Sequence, residues 1–244
     1  MGKTFVIAGD SNNVGFDMDA TTLPAGLETP GARVYVFEAG ATYWGQMRPG
    51  VNTGTDANPH AWGPEAELGR LLGVAYPGEA VLIIDIGRGS TGLAQDPGAV
   101  DWSPRSDGEM FDLACDTIAA ALRAYHEATG KPAPALDGVF WVGGPNDAYD
   151  AAKAHAYADN LTELFGAIRA EWMHDPQGRI VFSRAPDAGP YSLDVRVAQW
   201  AVDQADPYAS SFKTIGYDMQ ADGVHYSAGG LVQLGQGLYD GWAL

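Results

Sequence analysis

Ala80-Val81-Leu82-Ile83-Ile84-Asp85-Ile86 leaves a folded chain few options. The run is almost unbroken in β-branched and aliphatic residues, so it suits a strand buried on both faces, and such strands sit in parallel sheets covered by helices on either side. Other segments take turns with it. Residues 4–8, 33–37, 137–143, 180–183 and 211–215 read as further strands, and helical patterns begin near residues 63, 109, 149, 193 and 228. The 109–128 segment spaces Met110, Leu113, Ile118, Leu122 and Tyr125 as an apolar stripe, while 149–173 reads as one long helix carrying Tyr157, Leu161, Leu164, Phe165, Ile168 and Trp172. Strand and helix alternate throughout, which predicts an α/β fold with one parallel sheet. A chain of 244 residues, 46% hydrophobic, with no internal repeat and no linker, is expected to form a single domain spanning 1–244.

Charge narrows the partners. The formal net charge is −17, from 31 acidic against 14 basic side chains with no basic run, so neither nucleic acid nor an anionic membrane surface is an expected partner. A neutral partner suits it better. One cysteine, Cys115, rules out an intrachain disulfide and a cysteine-based zinc cluster, and its place in a helical pattern makes it a small core residue. The apolar run before Gly9 is too short for a signal peptide, Met1 argues against a removed leader, and no stretch is long enough to span a membrane. A cytoplasmic or virion-associated location is therefore expected over classical secretion.

Where the first strand stops, chemistry begins. Residues 4–8 end in Gly9-Asp10-Ser11-Asn12, placing Ser11 just past a strand's C-terminal end, the edge at which open α/β sheets bind ligands. Ser11 is a candidate nucleophile, although a serine in a turn can equally bond its own backbone. Residues 12–31 and 38–62 read as long irregular loops, and long loops in compact domains tend to be functional.

Three later stretches carry matching atoms. Asp222-Gly223-Val224-His225 sets a carboxylate three residues before an imidazole, close enough to hold one ring nitrogen while the other acts as a base; alternatively Asp222 caps the turn and His225 is a surface residue. Gly144-Pro145-Asn146-Asp147 follows a strand and offers an amide to a developing oxyanion, or else forms a turn with Asp147 as a helix cap. Gly87-Arg88-Gly89-Ser90-Thr91-Gly92 lets backbone N–H groups approach a ligand closely. A phosphate loop is disfavoured there, because no lysine follows and no helix starts promptly. A flexible turn is the plainer reading.

Taken together, these blocks resemble the SGNH (GDSL-like) hydrolase superfamily. Gly9-Asp10-Ser11 corresponds to its nucleophile block, Gly89 to its oxyanion glycine, Gly144-Pro145-Asn146-Asp147 to its Gly-x-Asn-Asp block and Asp222-Gly223-Val224-His225 to its Asp-x-x-His block. Within it the chain is most similar to carbohydrate esterases of the sialate O-acetylesterase and acetylxylan esterase kind, through Ser11-Asn12 followed by Gly15, Gly63-Pro64-Glu65, Gly89-Ser90-Thr91-Gly92-Leu93, Trp141 before Gly144, and His225-Tyr226-Ser227 leading to Gly229. It departs at Asp10, where that group usually has glutamine, at Asp85, where it often has lysine, and at Pro145-Asn146, where it has Glu-Ser. The resemblance implies a flavodoxin-like α/β/α sandwich with a parallel sheet of about five strands.

It also implies a short-chain ester hydrolase acting on O-acetyl groups of a carbohydrate. Ser11 would attack, His225 would shuttle the proton, Asp222 would orient the ring, and Ser11, Gly89 and Asn146 would hold the oxyanion, with neither metal nor organic cofactor required. Asp10 can bond within the nucleophile turn or set its charge beside His225, and it is grouped with Tyr43, Trp44, Trp62 and Trp102 as a substrate-binding candidate. Those loop aromatics are candidate platforms for a glycan ester substrate, or else pins that hold the loops down. The rivals are a generalist carboxylesterase or thioesterase, and a non-catalytic carbohydrate-binding or virion module on the same fold. Sequence sets no oligomeric state.

Overall fold

A computed structural model describes residues 2–55 and 58–244; residues 56 and 57 of the second long loop, and Met1, lie outside the described residues. Seven strands form one sheet: β1 (Lys3–Gly9), β2 (Val34–Glu38), β3 (Gly45–Gln46), β4 (Val81–Gly87), β5 (Gly138–Val142), β6 (Arg179–Ser183) and β7 (Ala209–Phe212). Their order is β3-β2-β4-β1-β5-β6-β7, parallel throughout except where β3 pairs antiparallel with β2. Six of the seven correspond to segments read as strands, against the about five that the resemblance implies, and the one not read from the sequence, β3, is an edge strand. β3 is only two residues long, and β7 starts two residues earlier than the sequence pattern suggests, because Ala209 pairs with Ile180 of β6.

The helices are α1 (Ser11–Val14), α2 (Glu65–Ala75), α3 (Met110–Thr129), α4 (Ala151–His155), α5 (Tyr157–Ala167), α6 (Ser192–Ala205) and α7 (Ala228–Ala243). Strand alternation divides the core in two. Phe5 and Ile7 of β1 pack with Val34, Val36, Val81 and Ile83 under α2 and α7, whereas Val6 and Ala8 pack with Ile84 and Ile86 under α3, α5 and α6. Cys115 is half-buried against this second core. Among the described residues no helix is long and apolar enough to cross a membrane.

The helix expected over 149–173 is broken into pieces. A 3-10 turn covers Asp147–Tyr149, Asp150 caps α4 by accepting from the N–H groups of Ala152 and Lys153, and α5 widens into a π-turn at Ile168–Met173. Leu161, Leu164, Phe165 and Ile168 stay buried through these changes, so the apolar period conceals them.

Topology places the crevice. The segment leaving β1 buries Met18 and Leu27 on the α2/α7 side, while the segment leaving the adjacent β4 buries Leu93, Trp102 and Met110 on the other. Two neighbouring strands thus send their connections to opposite faces, which opens a cleft between their C-terminal ends.

Candidate active site

Ser11 stands at that cleft as the first residue of α1. A Cβ at Gly9 would lie 1.9 Å from the carbonyl oxygen of Val142, so only glycine lets β1 end this close to β5. Asp10 then caps the short helix by accepting from the Asn12 N–H at 2.9 Å, and Gly15, at φ 75°, turns the chain out of it. Asn12 ties this turn to the far end of the sequence. Its Nδ2 donates to the Val224 carbonyl at 3.2 Å and its Oδ1 accepts from the Tyr226 N–H at 3.1 Å, gripping the backbone on both sides of His225.

The grip aligns three side chains. Ser11 Oγ is 2.9 Å from Nε2 of His225, and Nδ1 of His225 is 2.7 Å from Oδ2 of Asp222. Since the carboxylate accepts from Nδ1–H, Nε2 is left to accept from the serine hydroxyl. Oδ1 of Asp222 accepts from the N–H groups of Val224 and His225 at 2.9 and 3.0 Å. Partial burial draws the Asp222 carboxyl upward, but hydrogen bonds from the His225 ring and from these backbone groups outweigh it and hold it at about 2. Phe16 stacks on the His225 ring at 4.1 Å between centroids and fixes its plane.

Across the cleft lies the loop after β4. A Cβ on Gly89 would be 3.7 Å from that of Ser11, so the two backbones are neighbours. Ser90 holds a left-handed φ of 62°, a strained setting for a residue with a side chain. Buried bonds keep it there. Asn146 donates to the Thr91 carbonyl at 2.9 Å, Trp102 Nε1 donates to Thr91 Oγ1 at 3.0 Å, and Asp147 accepts from the N–H groups of Leu93 and Ala94. Asp147 is therefore a brace for this loop, not the helix cap considered from sequence. The N–H groups of Ser11 and Gly89 donate to no group among the described residues.

Several sequence candidates fall elsewhere. Trp62 and Trp102 are fully buried: Trp62 Nε1 donates to Asp19 O and Thr22 Oγ1, and Trp102 meets Trp141 edge-on. Neither offers a ring face to a sugar. Trp44 is half-buried against Phe37 and donates to the Ala121 carbonyl, so it pins its loop. Tyr43 alone of the four is open, at 74% exposure. Asp10 is buried as the cap of α1, with its second oxygen unpartnered, and burial lifts its carboxyl to about 7 against the pull of the Asn12 N–H. A substrate cannot reach it.

Sequence reasoning assigned no role to Asn12, Asn13, Phe16 or Glu38. Asn12 and Asn13 directly follow Ser11, which was the available signal; Phe16 and Glu38 gave none, because their partners are distant in the chain.

The chain has recognisable relatives. The model of the family described as "Carbohydrate esterase, sialic acid-specific acetylesterase" matches residues 1–242. No curated protein matches it in sequence. Among solved structures it is similar to a protein from Arabidopsis thaliana, with TM-score 0.80 and 17% identity over 99% of this chain and 98% of that one. It also resembles a carbohydrate acetylesterase from Xanthomonas citri, at TM-score 0.66 and 14% identity over 98% of this chain and 55% of that chain. A third is an acetyl xylan esterase from Geobacillus stearothermophilus, at TM-score 0.53 and 14% identity over 98% and 94%.

Proposed function

The chain belongs to the carbohydrate esterase family of sialic acid-specific acetylesterases and is a carboxylic ester hydrolase; we propose that it removes acetyl groups from a carbohydrate through a Ser11-His225-Asp222 triad and an acetyl-enzyme. The observation carrying this reading is the unbroken chain of contacts, 2.9 Å from Ser11 to His225 and 2.7 Å from His225 to Asp222.

Ser11 Oγ attacks the acetyl carbonyl carbon while His225 Nε2 takes its proton. The oxyanion then accepts from the N–H groups of Ser11 and Gly89 and from the amide hydrogen of Asn146 not committed to Thr91. As the carbon–oxygen bond to the sugar breaks, His225 returns the proton to the leaving alcohol. Water repeats the sequence on the acetyl-serine and releases acetate. Asp222, ionised throughout, stabilises the imidazolium in each half.

Release of acetate from para-nitrophenyl acetate tests this directly. Ser11→Ala is expected to lower kcat by about 10⁴- to 10⁶-fold with an unchanged melting curve. Equal rates in the two proteins would refute it.

A further inference from the structure

A cavity of about 370 Å³ opens beside Gly89 and extends from there between β2 and β4. It shares Glu38, Gly54 and Thr55 with a second, of about 490 Å³, that continues toward Tyr43. The two make one groove leading away from the nucleophile, with room for a sugar unit and its neighbour.

Its floor is unusual in charge. Glu38 and Asp85 are register partners on adjacent parallel strands, so their side chains share one face of the sheet, beside Glu65 at the start of α2. Asp85 is only 5% exposed, and Asn13 donates to its Oδ1 at 2.9 Å. Asp85 lines the groove, and that bond from Asn13 is the one its carboxyl is seen to accept; Oε1 of Glu38 is buried with no hydrogen-bond partner among the described residues. A buried polar atom left open in this way calls for a partner, and a ligand hydroxyl supplies one. Among the described residues no group of three or more acidic, histidine or cysteine side chains is arranged to hold a metal ion. A hydroxyl-bearing ligand fits instead.

We infer that Asp85 and Glu38 form the sugar-recognition floor of the active site and that the ester's carrier is a neutral sugar whose free hydroxyls bond to these two carboxyls. This rests on the acetylesterase reading above. Burial, then the neighbouring acids, pushes both carboxyls well above their usual range, so the pair holds protons that dissolved acids would release. Such a pair both donates and accepts, as a sugar hydroxyl does. A sugar carrying its own carboxylate would have to give up its water over a floor that offers no cation, and its charge would oppose any ionisation of the acids beneath it. The groove's cation among the described residues, Arg88, stands on the exposed rim and not at the floor.

Three esters separate the possibilities: a monoacetylated methyl xyloside, O-acetylated N-acetylneuraminic acid, and para-nitrophenyl acetate as the sugar-free reference. The xyloside is expected to be the better sugar substrate. Asp85→Ala and Glu38→Ala should each lower the ratio of its kcat/KM to that of the aryl acetate by about 10- to 100-fold, and Asp85→Asn, which keeps a bond from Asn13, should recover much of it. Preference for the acidic sugar that disappears in Arg88→Ala would overturn the proposal, as would an unchanged ratio in folded Asp85→Ala and Glu38→Ala proteins. Calorimetry with the monoacetylated xyloside on Ser11→Ala protein keeps the two readings apart. Binding that is lost with a second change at Asp85 supports the floor even if no ester is turned over; absence of binding overturns it.

Discussion

Two groups of carboxylates flank Ser11, and they have opposite fates. Asp222 is partly open to solvent yet accepts three hydrogen bonds, and its carboxyl stays ionised far into acid. Asp10, Glu65 and Asp85 are buried, Glu38 has a buried carboxyl oxygen, and desolvation pushes all four upward. Depth of burial, more than proximity to Ser11, separates them: desolvation is the largest influence on the four raised acids, while Asp222 is open enough for its three hydrogen bonds to prevail. One side of the cleft sets an ionised carboxylate against the His225 ring; the other holds carboxyls pushed toward their protonated form.

That contrast breaks most visibly at Asp222. Asp222→Asn should reduce kcat by about 10⁴-fold with little loss of fold, since an amide cannot stabilise the imidazolium and presents the ring in the wrong tautomer. Steady-state rates on an aryl acetate read this; a loss below tenfold would move Asp222 out of the triad.

The next largest effect is on stability. In the folded chain Asp10 keeps its proton up to about pH 7, whereas unfolded it ionises near 3.8. Its contribution to stability is therefore neutral below pH 4, increasingly unfavourable as pH rises from there to about 7, and level above that, with the other three raised acids acting in the same direction. Asp222 acts oppositely, its contribution fading as pH falls from about 4 toward 2. Thermal unfolding should accordingly show greatest stability in mild acid. Asp10→Asn, which can still accept from the Asn12 N–H, should stabilise the protein by up to about 4 kcal/mol at pH 8 and by almost nothing at pH 4. A uniform shift across pH would mean that Asp10 is ionised in the fold.

Asn12→Ala sharpens the comparison least in size and most in geometry. Leaving the Tyr226 N–H without its buried acceptor should cost about 1–3 kcal/mol of stability, and the loosened His225 should cost about 10- to 100-fold in kcat with KM nearly unchanged. Comparable losses in kcat and KM would assign Asn12 to substrate contact instead.

Much of this was readable in the chain. The β4 run and the alternation around it specify the sheet, and local motifs, one at a strand end and one in a late loop, mark Ser11, Asp222 and His225 as the candidates that the fold brings within hydrogen-bond distance. What sequence hid depends on fit. Trp62 and Trp102 sit in polar loops and could read as platforms or as pins; the choice falls to pins because their N–H groups meet Asp19, Thr22 and Thr91 once the loops fold inward. Pairing of Glu38 with Asp85 is a matter of strand register across 47 positions, and a β2 shifted by one residue would have turned Glu38 to the opposite face. The break between α4 and α5 and the π-turn escaped because apolar spacing continues through both.

The serine–histidine contact on which the chemistry depends is tested most directly by a fluorophosphonate probe followed by peptide mass mapping. The label should fall on Ser11, at a rate reduced at least 100-fold in His225→Ala and absent in Ser11→Ala. An intact, folded protein that leaves Ser11 unlabelled, or labels it equally fast without His225, would contradict the proposed triad.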